Sequence, residues 1–162
     1  MDLVVSGVDS ADYLLSGATV TIADGATTGT ATFTVQDDAV VELLETAVIS
    51  LANPTAGVSI ATSNTLSLTI TDNDSATLSI DDVTIAESNS GTTTATFTVT
   101  LDASADADVT VDFTTAGDTA TVADSDYAAA SGTLTFSAGS AAGSTQTITV
   151  DITGDVKVEA DE

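Results

Sequence analysis

One stretch of this chain occurs twice. ADYLLSGATVTIADG, Ala11 to Gly25, returns as SDYAAASGTLTFSAG, Ser125 to Gly139, with Asp12 and Asp126 114 residues apart and Gly25 and Gly139 keeping that spacing. A second pair, DAVVELLE from Asp38 to Glu45 and DVKVEADE from Asp155 to Glu162, lies 117 residues apart. A period of this length is a domain, so the fold must be one that can be built in tandem. The 162 residues hold slightly more than one period. The expectation is therefore parts of two repeats: the later strands of a first over residues 1–74, and the earlier strands of a second over 75–162.

What fills the period alternates with period two. Val, Ile, Thr and Phe recur at every second position, the pattern of a pleated surface with one face buried. Candidate strands are Ala18 to Ile22, Thr30 to Gln36, Thr46 to Leu51, Thr65 to Thr71, Ala76 to Ile80, Thr93 to Leu101, Val109 to Thr114, Gly132 to Ser137 and Thr145 to Ile152. Turn-formers separate them, including ADG at Ala23 to Gly25, SNSG at Ser88 to Gly91 and SAG at Ser137 to Gly139. No segment carries a helical stripe with caps. Short strands at this spacing predict an all-β antiparallel sandwich, and 43% hydrophobic residues is enough for a packed core.

Charge then restricts function. There are 25 Asp and Glu against the single base Lys157, with no His, for a formal charge of −24. Nucleic acid and anionic membrane surfaces need Lys and Arg to meet their phosphates, so both are poor partners and cations are good ones. Without Cys or His, oxygen is the only metal-binding chemistry open to the side chains, which favours calcium. The same lack of His, Cys and Arg removes the usual nucleophile and base pairs. Paired carboxylates for a glycosidase would need a cleft rich in aromatics, and aromatics are 4% with no Trp. The chain is read as no enzyme. No apolar run is long enough to span a membrane, and Met1 to Val5 lack the pattern of a signal peptide, so an export address would lie outside this sequence.

Three oxygen-bearing side chains in a row, Asp72, Asn73 and Asp74, lie between two alternating runs. They either end a strand in water or surround a cation. The order AES at Ala86 to Ser88, ATFTVTL at Ala95 to Leu101, VTVDFTT at Val109 to Thr115, SDY at Ser125 to Tyr127, GTLTF at Gly132 to Phe136 and an acidic D-x-x-x-E turn resembles a Calx-beta domain. ETAVISLANP, Glu45 to Pro54, and TLSLTITDND, Thr65 to Asp74, close the pattern in the first repeat. The resemblance implies a seven-stranded, immunoglobulin-like sandwich with calcium held by loops at one end. It implies Asp12, Asp38, Glu42, Asp72 and Asp74 as ligands in the first repeat, and Glu87, Asp126, Asp155 and Glu159 in the second. Repeat two departs from the run of aspartates in that it has Gly154 before Asp155, where repeat one has Asp37 before Asp38.

Calcium takes six to eight oxygens at roughly 2.3 to 2.6 Å, and a sandwich gathers loops from distant parts of the chain at its ends. The bland alternative is that each acidic turn is a solvated loop and that the charge adapts the surface to high salt. Three roles follow. The first is an extender module of a secreted or cell-surface adhesion protein, in which calcium stiffens the junction between sandwiches. The second is a fibre subunit joined head to tail with identical subunits by strand sharing. The third is a regulatory calcium sensor. The expected partners are calcium ions and neighbouring repeats or identical subunits, outside the cell.

Overall fold

A computed structural model describes residues 1–158, and among them the chain is all-β: twelve strands and no helix. The strands are β1 (Asp2–Ser6), β2 (Tyr13–Leu15), β3 (Phe33–Val35), β4 (Val40–Val41), β5 (Glu45–Ala52), β6 (Thr65–Ile70), β7 (Leu78–Ile80), β8 (Gly91–Leu101), β9 (Ser104–Ala105), β10 (Val109–Thr114), β11 (Ser131–Phe136) and β12 (Thr145–Gly154). They divide into two compact units. Unit 1 is Met1–Ala39 with Leu43–Asn73, and unit 2 is Val40–Glu42 with the chain from Asp74 on.

In unit 1, β5 is the centre of an antiparallel sheet ordered β1–β5–β6, with Leu3 opposite Leu51 on one side and Leu66 opposite Ile49 on the other. Along the free edge of β1 run residues 18–20, held by Leu3 N to Ala18 O at 2.8 Å and Val20 N to Met1 O at 2.9 Å. β2 and β3 form a separate ribbon in which Tyr13 and Phe33 stack, ring centroids 4.8 Å apart and planes 6° from parallel. An offset stack of this kind adds about 0.5–1.5 kcal/mol to the area it buries. It holds β2, which follows Asp12, to β3, which leads toward the acidic turn.

Unit 2 has a three-stranded sheet, β12–β8–β7, and a two-stranded one, β10–β11. Alternate residues of β8, β11 and β12 face inward, so Val99, Leu101, Leu134, Phe136, Ile148 and Val150 bury together with Ala105. Phe136 and Leu101 are fully enclosed, each contributing about 1.5–3 kcal/mol by its burial. Val40 and Val41 pair in parallel with Ser104 and Ala105, and Val41 packs on this cluster.

The repeat is visible in the register. Thr19 faces Asp2 in unit 1 as Thr133 faces Asp112 in unit 2, and each threonine hydroxyl reaches its aspartate's Oδ1, at 3.4 and 2.5 Å. β1 is therefore the counterpart of β10. Tyr13 pairs with Val35 as Tyr127 does with Ile152, which makes β3 the counterpart of the end of β12.

Most predicted strands form within a residue or two of their expected bounds. Ala18 to Ile22 and Thr30 to Gln36 do not form full ladders: only a bridge at Thr19 and the three residues of β3 appear. The reason is pairing. Their counterparts β11 and β12 lie along six-residue β10 and eleven-residue β8, whereas unit 1 has only five-residue β1 for the first and no strand like β8 for the second. Strands β1, β2, β4 and β9 were not foreseen from periodicity.

Candidate metal centre

The clearest acidic grouping lies in unit 1. Asp12 enters it from the turn before β2, where its N–H donates to Asp9 O at 3.4 Å and its carbonyl accepts from Gln36 N at 2.7 Å. Glu45 enters as the first residue of β5, two positions from the fully buried Ala47 and so on the same inward face. Asp12 is only 6% exposed, and Asp12 Oδ2 and Glu45 Oε2 are both buried with no hydrogen-bond partner. Burial pushes the Glu45 carboxyl above its usual range. The Asp12 carboxyl beside it pushes it the same way, and a backbone hydrogen bond from Asp9 partly opposes them. Asp9 itself is held in a tight turn, its Oδ1 accepting from Ala11 N at 3.0 Å.

A buried acid beside a half-buried one, each with an orphaned oxygen, is costly unless a proton or a cation compensates them. This donor set fits a hard, oxygen-seeking ion such as calcium, with Asp12 and Glu45 as the carboxylates that would hold it. Among the described residues, however, no three of His, Cys, Asp and Glu are grouped as a ready metal site. The pair is a nucleus to which further oxygens would have to come.

The other expected ligands of the first repeat are spread out. Asp38 is exposed in unit 1, and Glu42 is half-buried just after β4 in unit 2. Asp72 and Asp74 are both half-buried, one near the end of unit 1 and the other at the start of unit 2.

In unit 2 the expected ligands converge on the end of β12, but backbone groups occupy them. Asp126 O accepts from Thr153 N at 2.9 Å, the same bond that Asp12 makes with Gln36. Asp126 Oδ2 accepts from Thr121 N at 2.6 Å, Glu87 Oε1 from Asp155 N at 3.0 Å, and Asp155 Oδ1 from Lys157 N at 2.6 Å. Glu87, Asp126 and Asp155 are thus gathered at one end of the unit as caps on turns. Glu159 lies outside the described residues. The substitution of Gly154 for the first aspartate of the turn has a steric cause: a Cβ there would run into the Ser88 carbonyl and hydroxyl, because the AES turn crosses directly over β12.

Glu45 is the functional candidate that the ligand set from sequence left out. Two signals mark it. The acidic repeat ends on Glu45 and Glu162 alike, and the alternation of β5 turns Glu45 toward the side on which Ala47 and Ile49 lie.

The family model of the Calx-beta domain matches the chain twice, at residues 5–82 and 70–162. No curated protein and no solved structure matches it.

Proposed function

Because the chain belongs to the Calx-beta family, as tandem repeats of a β-sandwich domain that often binds calcium in extracellular proteins, we propose that it is a calcium-binding structural module of a secreted or cell-surface adhesion protein. The observation that carries this reading is the Asp12–Glu45 pair, two carboxyls packed together with buried oxygens that nothing else satisfies. Calcium supplies positive charge and no redox or acid–base chemistry. The chain's part is to hold acids close against their repulsion, so that binding releases that strain as stability.

The family resemblance also implies Asp38 and Asp72 as ligands; among the described residues neither is grouped with the pair, so calcium would have to draw them in. Calcium drawn to Asp72 and Asp74 would order the segment by which the chain leaves unit 1 and enters unit 2, the expected property of an extender. We take the role to be non-catalytic, since the chain has no His, Cys or Arg and its only base is Lys157. Among the described residues no helix is long and apolar enough to cross a membrane.

Calorimetric titration of calcium into the chelator-treated chain tests the pair. Asp12→Asn is expected to weaken binding at least tenfold, and an unchanged affinity would remove Asp12 from the centre.

A further inference from the structure

One face of unit 2 repeats a single residue type on a fixed grid. β8 and β12 pair from Gly91 opposite Gly154 to Thr100 opposite Thr145, and every second rank of that ladder faces outward. These ranks are Thr92 with Thr153, Thr94 with Asp151, Thr96 with Thr149, Thr98 with Thr147 and Thr100 with Thr145. Nine of the ten positions are threonine, while the ranks between them turn Ala95, Val99, Ile148 and Val150 into the core. Strand propensity alone would admit Val, Ile and Tyr at the same places. The hydroxyls are also mostly open. Thr77, Thr115, Thr121 and Thr133 give theirs to protein acceptors, whereas within the grid, among the described residues, only Thr94 does, to Asp151 at 2.9 Å. Successive threonines along a strand stand about 6.6–6.8 Å apart and facing ones about 4.5–5.5 Å. Because threonine branches at Cβ, each side chain presents its methyl and hydroxyl in few rotamers. The result is a stiff lattice of hydroxyls and methyls with one acid in it, on a chain of net charge −24.

We propose that this threonine grid binds ice. Oxygens on a prism face of ice repeat at spacings close to these two, so water held between the ranks continues the crystal lattice while bonded to the hydroxyls. An ice surface is neutral, periodic and made of hydrogen-bond donors and acceptors, and the grid matches it in each respect. Its side chains lose little freedom on binding, which is the advantage of a preorganised surface. A second copy is the poorer occupant, because chains of this charge repel one another. A polysaccharide would need aromatic faces to stack on, and Phe97, Phe113 and Tyr127 pack against the core instead. Sheet twist carries the end ranks out of any flat plane, so the central ones, Thr96 with Thr149 and Thr98 with Thr147, make the contact. The inference goes beyond calcium binding and uses no residue of the acidic centre.

The test grows ice slowly in a stirred solution of the full chain, in chelator and in calcium. It measures the fraction of chain taken into the ice and the gap between freezing and melting points. The expected result is enrichment in ice and a measurable gap in both conditions. Thr96→Tyr combined with Thr149→Tyr is expected to lower both readouts at least tenfold, with the protein's unfolding temperature unchanged. Thr135→Tyr, on the outward face of β11, is expected to leave them as in the parent. Exclusion of the folded chain from ice would overturn the proposal. So would an equal loss from Thr135→Tyr, which would make the effect common to exposed strands. Sedimentation with cellulose or chitin but not with ice would also overturn it and assign the face to a polysaccharide. Because no readout needs calcium, failure leaves the metal reading untouched.

Discussion

Glu45 is a half-buried acid on the inward face of a strand, beside the buried Asp12, and its neutral form is the one that this setting favours. A carboxyl raised above its ordinary range by folding contributes stability in full below that ordinary range and loses it as pH rises through the raised value. In chelator, Glu45→Gln keeps the shape and removes the charge. It is therefore expected to be more stable than the parent at neutral pH and to lose that advantage at pH 4. Urea denaturation at the two pH values measures this, and an equal difference at both would show that repulsion from Asp12 is not the cause. Asp12 was legible in sequence because it precedes Tyr in both repeats. Glu45 was not, because its importance comes from which way the strand turns it rather than from the spacing of acids in a turn.

Strand β7 is three residues long and lies at a sheet edge, so it needs a fastener. Asp102 supplies one: Thr77 donates to it twice, from N and Oγ1, each at 2.6 Å. The Thr77 hydroxyl first, and then its N–H, hold the Asp102 carboxyl below its usual range. This bond's contribution is thus present above the ordinary carboxylate range and lost as pH falls through the depressed value. Asp102→Asn is expected to lower hydrogen-exchange protection at Leu78–Ile80 at neutral pH, leaving the centre of β8 as in the parent. Unchanged protection at β7 would dismiss the fastener. At this scale the long alternating strands β8, β10, β11 and β12 were readable because their faces differ in burial. The two-residue pair β4 and β9 was not: a parallel contact between Val40 and Ser104 leaves no periodic trace in sequence. Residues 18–22 and 28–36 show the converse, since a strand pattern yields a full ladder only where a partner strand is present.

Over the whole molecule, the repeat and the charge were the most informative features. The repeat returns in the structure, down to the matching Asp–Thr pairs of β1 and β10. A net charge of −24 makes cations the expected partners but does not say where they would bind. That depends on burial, which separates the Asp12–Glu45 pair from the turn-capping acids of unit 2. A nonspecific effect of charge and a true centre differ in valence: screening of exposed acids follows ionic strength, whereas a site of clustered carboxylates selects a divalent ion. The most direct measurement is the thermal unfolding of the chain in chelator, in millimolar calcium, and in sodium chloride at far higher ionic strength. A ligand stabilises only the state that binds it, so a specific centre requires a melting temperature raised clearly by calcium, with Glu45→Gln abolishing most of the rise and sodium producing much less. Equal rises with calcium and sodium, unaffected by the substitution, would contradict the centre and leave a salt-adapted sandwich.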